Sequence, residues 1–352
     1  MAQQVHYPSN PLQPGPVYFK TPRKCAVFGI TDEAFRRQTN YLIDEAVHVG
    51  KGCNTIISYI HHYLEANQSQ TSHNPLVLHA DNCASVDNDN AFPVLFKVAV
   101  VHQPFASGQD KNNFMLMYLA WRVARGLNAN VELNFMIAGH TKFVPDLFFG
   151  LFKRRYRREF VSSLHEVKEC MERSSILNKA VLVGSQDGEV LVPTYDWSTF
   201  LCRYFSKIKG IKSAHQFTFT NETPGSVMVR QFCNSYESAT SLIQYSPLND
   251  EMPEKLTPLG MTRERKQYLY KEIREFCKEE HRDIVCPPVP PAQSHKITAR
   301  PTTECSVAKD KTSIKKRGQP REPRKNNVTV LFLKSLIEDF IITLIIRFCK
   351  IL

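Results

Sequence analysis

The sequence predicts an α/β fold, and three observations carry that expectation. Short apolar runs alternate with stretches of helical periodicity across residues 1–175, the pattern of a sheet with helices on its faces. Hydrophobic residues make up 42% of the chain and charged residues 22%, an ordinary balance for a globular protein. At 352 residues the chain is long enough to bury one large core or two modest ones.

Taken in order, residues 1–16 carry several prolines and read as extended coil leading to a strand near Val17–Lys20. A second strand near Lys24–Ile30 is expected to pair with it as a hairpin, with Pro22 in the turn. Gln38–Val49 and Cys53–Glu65 read as helices, the latter from Ile56, Ile57, Ile60, Tyr63 and Leu64 at helical spacing. Leu76–Ala80 is a short buried strand that ends in Asp81-Asn82-Cys83. A helix follows from about Lys111 to Arg125, with Leu116, Tyr118, Leu119, Trp121 and Val123 as its apolar side. Val131–Ala138 reads as a strand broken by Gly139-His140-Thr141, and Pro145 suits the first turn of a helix running to Tyr156. Beyond Ile176, strands are expected at Val190–Val192 and Phe217–Phe219, a short helix at Phe200–Phe205, and a charged amphipathic helix at Arg263–Lys278.

This divides the chain into a core over 1–175 and an α/β extension of that core over 176–285. A Pro-rich then basic linker follows over 286–327, with the composition of disorder. In the hydrophobic tail, 328–352, charged residues such as Lys334, Glu338, Asp339 and Arg347 interrupt the apolar run. A membrane-spanning helix needs about 20 largely apolar residues. The tail therefore argues against a membrane partner and reads as translated non-coding sequence.

Forty-five Lys and Arg against 34 Asp and Glu give a net charge of +11, which leans toward a polyanionic partner. Part of the excess is local, in the basic stretch Lys309–Lys325. None of the 10 cysteines forms a CxxC pair, and the His spacing suggests no zinc site. Met1 opens a polar, proline-rich stretch rather than a secretory signal, so reduced thiols in a nucleus or cytoplasm are expected, and secretion is not. No catalytic-triad order, P-loop or dinucleotide fingerprint is present, so no small-molecule cofactor is expected.

Two acids stand out. Asp81 ends a buried strand, and Asp146 follows a strand and a Gly-His-Thr break. Aspartates at such places can converge on one sheet edge and hold Mg²⁺ for phosphodiester chemistry, because hard cations take oxygen ligands from short side chains on rigid elements. Asn82, His140 and Thr141 would then support the acids or touch phosphate. The same aspartates also suit routine turn or helix-cap positions. The run Lys153, Arg154, Arg155, Arg157, Arg158 reads either as a contact to a nucleic-acid backbone or as a solvated helix end. Trp197, in Tyr195-Asp196-Trp197, reads as a core anchor rather than a base-stacking ring.

The segments LHADNC, GQDKNNFMLMYLAWR, AGHTKFVPDLFFGLFKRRYRR and LVPTYDW resemble a transposon-derived family catalogued as domain of unknown function 7869, over Ala2 to about Pro287. The resemblance implies an RNase H-like mixed sheet flanked by helices, and a nuclease core that uses three acids and Mg²⁺. The second acid maps onto Asp81 and the third onto Asp146. The family's first acid precedes a stretch matching Ala2-Gln3-Gln4-Val5-His6-Tyr7-Pro8, which sets it one position ahead of Met1. Two departures follow. Residues 85–107 interrupt a pattern that family members run without a break, in the manner of a translated intron, and Asp110 stands where Asn is usual. The inserted Phe92–Val101 is apolar enough to form a stray strand. The resemblance thus implies an ancestral Mg-dependent nuclease, DNA-binding and metal-binding, that is inactive as written. The alternative is a non-catalytic nucleic-acid or protein-binding module that retains the fold.

Overall fold

The computed structural model describes residues 5–12, 15–32, 35–50, 52–67, 75–80, 96–100, 113–135, 144–209, 211–232, 234–245 and 251–289. Its centre is a mixed ten-stranded sheet built from β1 (Val5–Tyr7), β2 (Arg23–Asp32), β3 (Arg37–Asp44), β4 (Leu76–Ala80), β5 (Phe96–Val100), β6 (Asn130–Phe135), β7 (Asn178–Leu182), β9 (Gln216–Thr220), β10 (Ser226–Arg230) and β11 (Ser238–Ser241). The order across it is β11-β10-β9-β6-β4-β5-β2-β3-β7, with β1 also on β2. The α/β expectation is met, and strands from both 1–175 and 176–285 pair within the one sheet. A separate two-stranded pairing joins β8 (Thr194–Tyr195) to β12 (Lys255–Leu256).

At β2 and β3 both faces of the sheet are covered, which explains why those strands lack a clean polar alternation, whereas β6 and β9 bury every second residue. Even-numbered residues of β2, namely Ala26, Phe28 and Ile30, face a core with Ile56, Ile57, Ile60 and Leu64 of helix α2 (Cys53–Ala66) and with Leu116 and Leu119 of α3 (Asn113–Ala124). Trp197 and Phe200 of α6 (Trp197–Cys202) join that core, and Trp197 is wholly buried, an anchor as expected. Odd-numbered Cys25 and Val27 face a second core with Phe149 and Phe152 of α4 (Val144–Tyr156) and with Val167, Cys170 and Met171 of α5 (Leu164–Arg173).

Four expectations are corrected. Val17–Lys20 is not a strand: Gly15–Tyr18 form a single helical turn, α1, with Pro16 near its start, so β2 pairs with β1 and β3 instead. Gln38–Val49 is not a helix but contains β3. Its polar Gln38 and Asn40 are wholly buried while Tyr41 and Ile43 fill the other face, and a strand buried on both sides hides its period of two. Val190–Val192 forms only an isolated bridge, Gly184 to Val190. The helix expected over Arg263–Lys278 is broken into α7 (Arg263–Tyr268), a π turn at Leu269–Ile273 and a 3-10 turn at Arg274–Phe276. Beyond these, α8 spans Arg282–Val285. The expected strand within Phe92–Val101 is present as β5, inside the sheet rather than beside it. Residues 290–352, with most of the linker and the whole hydrophobic tail, lie outside the described residues.

Candidate functional site

β4 and β6 are parallel neighbours, in register from Leu76 opposite Val131 to Ala80 opposite Phe135, so their C-terminal ends meet the same edge of the sheet. In open α/β sheets that edge is where ligands bind. The residue after β4 is Asp81, and the chain after β6 leads through 136–143 into α4, whose first turn carries Asp146. Asp146 is partly buried. A carboxylate there complements the positive end of the helix dipole, and Lys153, Arg154 and Arg155 in the last turn complement the negative end. Asp81, Asn82, His140 and Thr141 lie outside the described residues. Among the described residues no group of three or more His, Cys, Asp or Glu is arranged to hold a metal ion.

A close approach seats α4 on the sheet. Phe148, Phe149 and Phe152 are buried, and a Cβ placed on Gly29 of β2 would come within 2.6 Å of Phe149 Cζ. Glycine at that position lets the helix carrying Asp146 lie close to the strand. The same face holds a buried polar row that sequence reasoning missed. The Thr31 hydroxyl donates to Gln38 Oε1 at 2.9 Å, Gln38 Nε2 donates to Asn40 Oδ1 at 2.7 Å, and Asn40 Nδ2 reaches the Lys179 carbonyl at 3.1 Å. The one local hint was Gln38-x-Asn40 just before the apolar Tyr41-Leu42-Ile43, too short a pattern to mark a strand with a polar inner face.

The basic run divides. Arg155 Nη2 pairs with Glu159 at 2.6 Å, and its Nη1 donates to the Arg173 carbonyl at 2.9 Å, so this arginine ties α4 to α5. Arg154, Arg157 and Arg158 are exposed and Lys153 is half-buried, with no ion pair to any of the four among the described residues. Four cations therefore stand at or just past the C-terminal end of α4, the end opposite the first turn that carries Asp146.

Two further clusters are buried and serve the fold. Arg23 and Asp44 are fully buried side by side, 2.6 Å from Nη2 to Oδ1, and the Tyr7 hydroxyl donates to Asp44. Arg23 also donates to the carbonyls of Val285, at 3.0 Å, and Gln186. Burial first, then the Asp44 charge, raises the Tyr7 phenol well above its ordinary range, which keeps it a donor. On the other face, His61 packs edge-on against Trp197 and Tyr118, and Arg122 reaches Glu65 at 3.0 Å and Tyr118 at 3.2 Å. Burial, then the Arg122 charge, lowers His61 to about 4, with Glu65 opposing. A hollow of about 250 Å³ lined by Pro8, Asn10, Val17, Phe160, Glu275, Phe276 and Cys277 brings no acid–base pair together, since Glu275 is held by Lys20 at 3.3 Å.

No helix among the described residues is long and apolar enough to cross a membrane. No curated protein and no solved structure matches the chain. A family match covers residues 105–236, a narrower span than the resemblance over Ala2–Pro287, and it leaves Asp81 and Asn82 outside while taking in His140, Thr141, Asp146 and the basic run. Over residues 105–236 the chain matches the model of the family described as Domain of unknown function (DUF7869).

Proposed function

We propose that the chain is the scaffold of an RNase H-like, transposase-derived nuclease that binds nucleic acid at the β4–β6 edge and, with residues 85–107 interrupting the family pattern just after Asp81, does not cut it. The observation that carries this reading is the parallel β4–β6 pair, whose ends lead one into Asp81 and the other into the helix bearing Asp146.

The donor chemistry fits Mg²⁺, which is commonly held by one or two carboxylates together with substrate phosphate oxygens. Asp81 and Asp146 would hold it, and bound there it would polarise a phosphodiester. The chain's own cations, Lys153, Arg154, Arg157 and Arg158, neutralise phosphates and orient the strand.

Two measurements test this. Binding of a labelled DNA or RNA oligonucleotide by the full chain should weaken with salt, and K153E/R154E/R157E/R158E should lower the log–log slope by about 0.7–0.9 per lost contact. Unchanged affinity in that variant removes the nucleic-acid reading. A chain with Asp fused ahead of Met1 and residues 85–107 deleted should cut nucleic acid with Mg²⁺, and Asp146→Asn should abolish the cutting. A folded, nucleic-acid-binding protein that still does not cut leaves the alternative, a non-catalytic binding module on this fold.

A further inference from the structure

Residues 274–286, from the 3-10 turn Arg274–Phe276 through α8, form a strap against the second core and bring two thiols together there. Cys277 Sγ and Cys286 Sγ lie 4.0 Å apart, and both are free thiols. Cys286 is wholly buried, while Cys277 forms part of the wall of the hollow of about 250 Å³. The strap is fixed from several sides. Arg274 Nη1 donates to the Cys286 carbonyl at 2.8 Å and to the Arg282 carbonyl at 3.0 Å. Arg23 Nη1 donates to the Val285 carbonyl at 3.0 Å, and the Lys278 N–H donates to Ser162 Oγ at 2.9 Å. Lys278 also pairs with Glu166. Both cysteine positions are therefore held before any bond joins the sulfurs.

We propose that Cys277 and Cys286 form a thiol-oxidation site: a small hydroperoxide entering through the hollow oxidises Cys277, and Cys286 resolves the product as an intramolecular disulfide.

The contacts divide the roles. The Cys286 S–H is placed to donate to Cys277, and the Cys277 S–H to the Ile273 carbonyl at 3.9 Å. The Cys286 contact first, with burial opposing, holds the Cys277 thiol below its ordinary range, and Ser162, Arg282 and Arg274 act in the same direction. The Cys277 contact, then burial, pushes the Cys286 thiol up. Thiolate character beside cations marks a reactive cysteine, and here the more acidic thiol is also the one on the wall of the hollow. The hollow is many times the roughly 30 Å³ that one water molecule takes in the liquid. Pro8, Val17, Phe160 and Phe276 make most of its lining apolar, so a small neutral oxidant enters without shedding ionic hydration.

The Cys277 thiolate attacks one peroxide oxygen and the O–O bond breaks. Sulfur is oxidised to a sulfenic acid, and the peroxide is reduced by two electrons to an alcohol that takes the Cys277 proton, or to water from hydrogen peroxide. Cys286 then attacks that sulfur. The S–S bond forms, the S–O bond breaks, and the hydroxyl leaves as water with the Cys286 proton. The sulfurs close from 4.0 Å to about 2.05 Å, a movement of about 1 Å each that side-chain rotation supplies.

The inference does not rest on the nuclease reading, and neither cutting nor nucleic-acid binding is among its readouts. The test exposes the full chain to hydrogen peroxide, blocks the remaining thiols and maps tryptic peptides without reduction. Peptides Glu275–Lys278 and Asp283–Lys296 should appear as one linked species, lighter than their sum by the two thiol hydrogens, and dithiothreitol should separate them. Absence of that species from the folded chain overturns the proposal, and this arm needs no variant to fold. In Cys286→Ser, dimedone should trap a sulfenic acid at Cys277, and in Cys277→Ser trapping at Cys286 should be about tenfold slower. Equal trapping at the two positions overturns the proposal. Oxidation should raise Tm by several degrees, because the bond joins positions already held in the strap. A fall in Tm would mean that the bond forms only by distorting the strap, and overturns the proposal as well.

Discussion

Asp44→Asn is the sharpest probe of how the β1 end of this sheet is held. Asp44 accepts from Arg23 Nη2 at 2.6 Å and from Arg23 Nε at 3.0 Å, from the Ala46 backbone N–H at 2.9 Å, and from the Tyr7 hydroxyl. Both ionic side chains are fully buried. Burial alone would lower the Arg23 pKa, but Tyr7 and Asp44 raise it above its ordinary value, so the guanidinium stays charged. Asparagine keeps the volume and one acceptor oxygen, which excludes a cavity as the cause of any loss. What remains is a buried cation without its counter-charge, and breaking such a pair from one side costs about 3–5 kcal/mol. At roughly 2–4 °C per kcal/mol for a domain of this size, Tm should fall by roughly 6–20 °C. Denaturant titration at constant m-value reads the same quantity. The control is Tyr7→Phe/Arg23→Met/Asp44→Leu, which removes the three polar side chains together, leaves only the Ala46 N–H and the Val285 and Gln186 carbonyls of the cluster, and should recover part of the loss. A cost below about 1 kcal/mol for Asp44→Asn, or a triple variant as unstable as the single one, would refute the reasoning.

Three more outcomes are expected. His61 titrates near 6.5 when unfolded and only near 4 when folded, so the unfolded chain binds the extra proton between those values. Stability is full above pH 6.5 and falls toward pH 4 by up to about 1.4 kcal/mol per pH unit, a slope that His61→Gln should flatten in parallel denaturant titrations. Gly29→Ala drives a methyl into the Phe149 ring and should cost about 1–3 kcal/mol, and tryptic cutting within α4 should accelerate as the helix lifts; an unchanged midpoint would show that α4 shifts freely. Ser163 caps α5 by accepting from the Glu166 N–H at 3.2 Å, while the Glu166 carboxylate accepts from the Ser162 N–H at 2.6 Å, so Ser163→Ala should cost about 1 kcal/mol in chemical denaturation.

Local chemistry was enough for elements whose signal lies in their own residues. Leu76–Ala80, the helix after Gly52 and the helix from Pro145 to Tyr156 are legible because an apolar run, a helical period or a proline in a first turn acts over a few residues. Asp81 and Asp146 stood out for the same reason, each next to a recognisable element. The placement of β3, the polar row under α4 and the Arg23–Asp44 pair were not legible. Gln38, Asn40, Asp44 and Arg23 look like surface residues until partners distant in the sequence, among them Asn178, Lys179 and Val285, bury and satisfy them.

By itself the sequence determined the α/β class, the helices with one apolar stripe and the family resemblance, because each depends on periods and motifs carried by contiguous residues. Only the tertiary structure decided that β4 and β6 end at one edge and that Gly29 admits the helix bearing Asp146. Those are matters of strand register and sheet order, which arise from backbone hydrogen bonds between segments far apart in the chain and leave no periodic mark within either partner.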